Sequence, residues 1–303
     1  MSDIFYIDRV SKQKNVEQVY GGEFIELMYG TGLLSVLARF LLKPVVCDSA
    51  VFSHLYGFLQ KSPLSKSKVV PFIKKFNMDP SEFLDSVDSY KCFNDFFIRK
   101  LKPAARPLAK GHNAAVLPAD ARYMFYPDIS HSDGFLVKGS KFSLTELLQD
   151  KELAKQYQNG AMVIARLCPT DYHRFHFPFN CIPSETKLIN GALSSVNPLA
   201  LKKNIHIFTE NKRTITILNS ENFGKVLFLE IGATCVGGIH QTYLPGNHCF
   251  KGQEKGYFSF GGSSLILLFE KDAIDFDQDL LEISSEGIES RCLMGQSMGT
   301  CKR

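Results

Sequence analysis

The rhythm of hydrophobic and polar positions changes partway along the chain. From Gly22 to about Leu59, apolar residues recur at helical spacing. Phe24, Leu27 and Met28 fall on one face, as do Leu33, Leu34, Leu37, Phe40 and Leu41. Pro44 ends the second of these helices, Val51–Leu59 begins a third, and Pro80-Ser81-Glu82 opens another. Ahead of them, residues 1–20 are polar with β-like positions at Ile4, Tyr6, Ile7 and Val10, which predicts an extended arm. Pro103 and Pro107 turn the tail of Phe93–Leu108 into a connector. Beyond it the pattern becomes short β-like runs at turn-spaced intervals: Ala115–Leu117, Tyr123–Tyr126, Phe135–Val137, Ala161–Leu167, Thr186–Ile189, His206–Phe208, Thr214–Leu218 and Val226–Ile231. One helix, Leu144–Gln158, interrupts them. The expected fold is α+β, with an N-terminal helical region over residues 1–100. A β-rich domain of mostly antiparallel short strands follows over residues 101–303.

Within that second region, YFSFGGSSLILLF (Tyr257–Phe269) sets two apolar runs around Gly261, Gly262, Ser263 and Ser264. One reading is a tight hairpin, in which Gly-Gly supplies positive φ and the serines solvate the turn. The other is a strained Gly-Ser peptide bond in which Ser263 is a nucleophile. The stretch by itself does not choose between them.

Composition narrows the classes. The chain has 303 residues, 45% hydrophobic and 22% charged, which is the profile of a folded protein. A net charge of +4 is too weak for a nucleic-acid footprint but suits an anionic membrane surface. No acidic residue occurs from Ser49 to Met78, where Lys61, Lys66, Lys68, Lys74 and Lys75 cluster. Apolar helices followed by such a stretch either lie in a membrane interface or pack on their own core with the lysines wet. The longest apolar run, Gly32–Leu42, contains Arg39 and falls short of the roughly 20 residues of a spanning helix. Eight scattered cysteines with no CxxC indicate reduced thiols in a cytoplasmic compartment.

The densest chemistry lies in CPTDYHRFHFPFNC, Cys168–Cys181. Taken as ligands, Cys168, His173, His176 and Cys181 approach a zinc knuckle, but C-x4-H-x2-H-x4-C is off the usual spacing. Two histidines beside Asp171 and Arg174 also suit acid–base work near neutral pH.

The run from Pro169 to Pro178, containing DYHRFH, resembles the histidine motif of the phosphatidylserine decarboxylase proenzyme family. FNDFFIRKLKPAARPL at 93–108, LPAD at 117–120, FLVKGSKFSLTELL at 135–148, IGATCVGGI at 231–239 and GQEKGYFSFGGSS at 252–264 follow that family's order, as does the segment 192–213. The resemblance runs from about Phe93 to the C-terminus. It implies a proenzyme that cuts itself between Gly262 and Ser263 into a β chain of residues 1–262 and an α chain of residues 263–303. Ser263 then becomes a pyruvoyl group, which forms a Schiff base with the substrate amine and accepts the electrons released with carbon dioxide.

By the same resemblance, Asp120, His176 and Ser263 form the self-cleavage triad, and His173 supplies the proton for decarboxylation. Backbone N–H groups around Gly237-Gly238 are candidates to stabilise negative charge. The implied substrate is phosphatidylserine, converted to phosphatidylethanolamine. The implied protein is a homodimer bound peripherally to the cytoplasmic side of the cell membrane, with no metal and no nucleic-acid partner. The alternatives are a pyruvoyl-dependent decarboxylase of a soluble amino acid, and a zinc-stabilised membrane-binding module. Two positions depart from the family's pattern. Ala121 follows Asp120 where glycine is usual, and GGSS presents a second hydroxyl, Ser264, at the cleavage motif.

Overall fold

The computed structural model describes residues 4–17, 57–130, 143–201, 204–233, 238–260 and 263–302. The helices expected across Gly22–Leu42, most of Val51–Leu59 and the run Phe135–Val137 lie outside the described residues. In chain order the strands are β1 (Phe5–Asp8), β2 (Lys14–Val16), β3 (Ala114–Val116), β4 (Ala121–Tyr126) and β5 (Ala161–Leu167). They continue with β6 (Arg174–His176), β7 (Ile182–Pro183), β8 (Lys187–Ile189), β9 (Arg213–Ser220), β10 (Gly224–Gly232) and β11 (Ile239–Gln241). Last come β12 (Glu254–Phe258), β13 (Ser263–Phe269), β14 (Ile274–Phe276), β15 (Glu289–Cys292) and β16 (Ser297–Cys301).

The protein is α+β, built on a large sheet ordered β2-β1-β15-β4-β5-β13-β10-β9-β7, with β8 also pairing β9. Its pairings are antiparallel apart from β1 beside β15. Two smaller sheets, β11-β12-β6 and β14-β16-β3, complete the β structure. Side chains alternate across the large sheet. Leu265, Leu267 and Phe269 join one core with Val163, Ala165 and Phe228, while Ile266 and Leu268 join a second with Met162, Ile164 and Leu229. A strand that is apolar on both faces belongs in the middle of a sheet, and β13 lies there between β5 and β10.

That placement corrects the hairpin expectation. Tyr257–Phe260 and Leu265–Phe269 do not pair with each other, because β12 belongs to the small sheet and β13 to the large one. Other expectations change as well. The opening arm is the β1–β2 pair at the edge of the large sheet. His206–Phe208 leads into a helical turn, Ile207–Glu210, started by Asn204 Oδ1 accepting from the His206 N–H. The single helix Leu144–Gln158 is two, α1 (Leu144–Leu148) and α2 (Lys151–Tyr157). Gln149 turns left-handed (φ 49°) between them, and Asp150 caps the second by accepting from the Leu153 N–H at 3.0 Å.

The described part of the helical region has its own aromatic core: Val69, Phe72, Ile73, Phe83, Tyr90, Phe93, Phe96 and Phe97. Phe260, from the loop that leads to β13, is packed into it. This joint between the two regions positions the site.

Candidate active site

Ser263 opens β13, paired with Gly232 of β10 on one side and Leu167 of β5 on the other. The loop that follows Leu167 curls back to this point. The Asp171 N–H donates to the Cys168 carbonyl at 2.8 Å, and the Cys168 N–H donates to Asp171 Oδ2 at 2.7 Å. Arg122 Nη1 holds both Asp171 oxygens at 2.6 Å. The loop ends at His173, whose Nδ1 lies 3.4 Å from Ser263 Oγ. His173 Nε2 lies 2.9 Å from the Cys168 carbonyl. A carbonyl only accepts, so Nε2 carries the proton and Nδ1 offers its lone pair to the serine hydroxyl. Burial drives the His173 pKa down to about 3 against the pull of Asp171, so the ring is neutral. Phe97 stacks on it with ring centroids 3.9 Å apart.

The residues ahead of Ser263 are tied one by one. The Phe258 N–H donates to the His173 carbonyl (2.9 Å), the Ser259 N–H to the Gly238 carbonyl (2.9 Å), and the Phe260 N–H to Asn94 Oδ1 (2.9 Å). Phe260 also packs edge-on against Phe93 and Phe97, at 5.2 and 4.9 Å between centroids. Phe93, Asn94 and Phe97 come from one short helix, α3 (Phe93–Phe97), which therefore grips both the loop and the histidine. Gly256 permits the close approach beneath: a Cβ there would lie 2.1 Å from the His240 carbonyl oxygen and 2.7 Å from the Phe175 ring.

The structure brings Ser263 together with His173 and keeps Asp120 and His176 in a separate cluster. His176 Nδ1 donates to the Gly252 carbonyl at 3.0 Å, and its Nε2 accepts from Tyr172 Oη at 3.3 Å. Asp120 accepts from Arg106, at 2.6 Å from Nη2 and 2.9 and 3.0 Å from Nε, and from the Met294 N–H at 2.8 Å. Burial lowers the His176 pKa and raises that of Tyr172; the charge of Asp120 opposes the first shift and adds to the second. Extended backbone accounts for the division, since residues three apart point to opposite faces. The same alternation separates the two serines. Ser263 is on the His173 side, whereas Ser264 is buried on the other face and its Oγ has no hydrogen-bond partner. Ala121 starts β4 with no positive φ, so the methyl group is accommodated without strain. Gly262 and Gly237 lie outside the described residues. Cys168 Sγ, His173 Nε2 and both nitrogens of His176 have partners within the protein, and no metal-ligating cluster of three or more groups occurs among the described residues.

The profile of the phosphatidylserine decarboxylase family matches residues 93–300. The chain belongs to the phosphatidylserine decarboxylase family. Relatives called phosphatidylserine decarboxylase proenzyme match almost end to end. One from Chlamydia pneumoniae is 47% identical over 98% of this chain and 97% of its own. Another from Chlamydia muridarum is 48% identical over 91% and 89%, and one from Chlamydia caviae is 45% identical over the full length of both.

Several residues that shape this family member's site were not singled out from sequence: Asn94, Phe97, Arg106, Arg122 and Tyr172. Asn94 and Phe97 lie in the family-like run at 93–108, where no signal marks them individually. Arg122 had one, because it and Arg166 interrupt otherwise apolar strands. Buried charges there require partners, which are Asp171 for the first and Glu17 and Glu289 for the second.

Proposed function

We propose that this protein is a self-processing, pyruvoyl-dependent decarboxylase that converts phosphatidylserine to phosphatidylethanolamine and carbon dioxide. The observation that carries the reading is Ser263 Oγ, fully buried and facing the unprotonated Nδ1 of a neutral histidine at the start of a central strand. His173 takes the hydroxyl proton as Oγ attacks the carbonyl of residue 262, exchanging the amide for an ester. Loss of the Ser263 α-proton with departure of the new C-terminal carboxylate leaves a dehydroalanine. Water converts it to a ketone and releases ammonia. Asp120, His176 and Tyr172 form a second polar group beside this centre. We assign it a supporting role in cleavage, consistent with the field that Asp120 exerts on both partners.

A pyruvoyl group at position 263 supplies a carbonyl that captures an amine and draws electrons from the breaking carboxylate bond. The surroundings of Ser263 fit such a group, since β13 is paired on both sides and His173 Nδ1 is within reach. Phe97 and Phe260 exclude water from this side, and His173 returns the proton to the substrate carbon. The α chain stays in place after cleavage because β13 lies between β5 and β10, β15 between β1 and β4, and β16 between β14 and β3.

Membrane association is peripheral in this reading. No helix among the described residues is long and apolar enough to cross a bilayer. Phe58 (70% exposed), Leu64 (88%) and Val70 (43%) project beside exposed Lys61, Lys66, Lys68, Lys74 and Lys75, a composition suited to an anionic interface. The free cysteines support the cytoplasmic side, and we retain the homodimer as its assembly. Denaturing intact mass is the test. Active protein should separate into residues 1–262 and 263–303, the latter blocked by a pyruvoyl group, and an intact chain in active protein would overturn the reading.

A further inference from the structure

Arg99 is 5% exposed, yet its guanidinium is only partly satisfied. Nη2 donates to the Thr170 and Asp171 carbonyls at 3.2 Å each, whereas Nε and Nη1 have no hydrogen-bond partner. The hydroxyl of Tyr90, 3% exposed, also has none. Both residues line one cleft of about 420 Å³, together with Ile98, Lys100, Arg174, Asp85 and Asp95. Buried N–H and O–H donors without acceptors are costly, and two such side chains lining one cleft call for a ligand rich in oxygen.

The surrounding aromatic core holds these donors still. The Arg99 guanidinium lies over the rings of Phe83 and Phe96, at 5.1 and 5.0 Å, and the Tyr90 ring packs against Phe96 at 5.6 Å. The other charges are in part committed. Arg174 Nη1 is engaged by both Glu254 oxygens, and Asp95 accepts from the Lys91 N–H. Asp85 remains as the opposing charge and exposed Lys100 as an additional cation. A guanidinium edge and a phenol approaching from different chain segments match the several oxygens of a tetrahedral anion better than a planar carboxylate.

We propose that Arg99 and Tyr90 form a phosphate-binding site. It lies next to the reacting centre. Arg99 holds the carbonyls of Thr170 and Asp171, just ahead of His173, and Phe97, two residues before Arg99, stacks on the His173 ring. That the phosphate belongs to the substrate's headgroup rests on the decarboxylase reading, whereas the anion site rests only on the orphan donors.

The test is a binding titration of the full-length protein with three soluble probes: glycerophosphoserine, inorganic phosphate and a phosphate-free serine alkyl ester. Wild type should bind glycerophosphoserine in preference to the ester. Arg99→Lys should weaken glycerophosphoserine binding about tenfold and Tyr90→Phe about fivefold, with the ester unchanged. Tyr90→Phe keeps the ring packing, so it reads the site even if the arginine variant folds poorly. Inorganic phosphate binding as well as glycerophosphoserine, with the same sensitivity to both variants, would support the site with free phosphate as its source. Phosphate-bearing probes that bind both variants as they bind wild type, or that do not bind at all, would overturn it. Intact mass and carbon dioxide release are read separately, so a protein that neither cleaves nor decarboxylates defeats the functional reading while the titration still decides the site.

Discussion

Two clusters flank the turn between Cys168 and His176, and they are built in opposite ways. Around Asp120, Asp171 and Glu17 each carboxylate is saturated: Arg106 and a backbone N–H hold the first, Arg122 and the Cys168 N–H the second, Arg166 and Arg122 the third. Burial alone would raise the Glu17 pKa, but Arg166 and Arg122 outweigh it and hold the carboxyl at about 2. Around Ser263 there is one hydroxyl, one neutral imidazole and two phenylalanine rings. The saturated cluster fixes backbone geometry, and its carboxylates act on their neighbours only through their charge. The sparse cluster leaves a lone pair and a hydroxyl facing each other in a buried space, where a proton can move.

The most severe way to break this comparison is Ser263→Ala, which removes the proposed nucleophile. It should leave a folded, uncut chain with no carbon dioxide release, read by intact mass and radiometric assay. Two fragments from that variant would defeat the assignment. Next comes the choice between the imidazoles. His173→Ala should slow self-cleavage by about 10²–10⁴-fold, while His176→Ala, acting through Tyr172, should slow it less. A time course of processing after synthesis measures both, and the reverse order would move the base to His176.

The saturated cluster predicts effects on stability. Asp120→Ala leaves the buried Arg106 guanidinium with only part of its partners, and chemical denaturation should report a loss of about 3–5 kcal/mol. Acid should then separate the clusters. The folded His173 pKa, about 3, is below its ordinary 6.5, so between those values the unfolded chain binds a proton that the folded chain refuses. Its contribution is complete above pH 6.5 and is lost as pH falls toward 3, at about 1.4 kcal/mol per pH unit. Denaturation midpoints of His173→Phe should lack that slope; an unchanged slope would show that other groups set it. The smallest effect lies on the exposed face. Lys66→Glu or Lys74→Glu should weaken binding to anionic vesicles about fivefold each in a flotation assay, with self-cleavage unaltered.

Much of this was legible in the chain as written. β-like runs at turn spacing located β4, β5, β9 and β10, and the family resemblance brought His173, His176, Asp120 and Ser263 forward as chemistry. Short apolar runs were less informative, because a few residues bury equally well as a helical turn or a strand. His206–Phe208 shows this, and so does the break at Gln149 inside an otherwise helical pattern.

By itself, the sequence determined which residues are candidates for chemistry and which elements would be buried, since side-chain chemistry and hydrophobic period are local properties. Only the tertiary structure decided that β13 is a central strand rather than half of a hairpin. It also decided that Ser263 faces His173 while Asp120 and His176 have other partners, and that a phenylalanine and an asparagine from α3 hold the loop ahead of the serine. Strand order and register bring these groups together across as many as 166 residues of chain, and no local pattern encodes a distance of that kind.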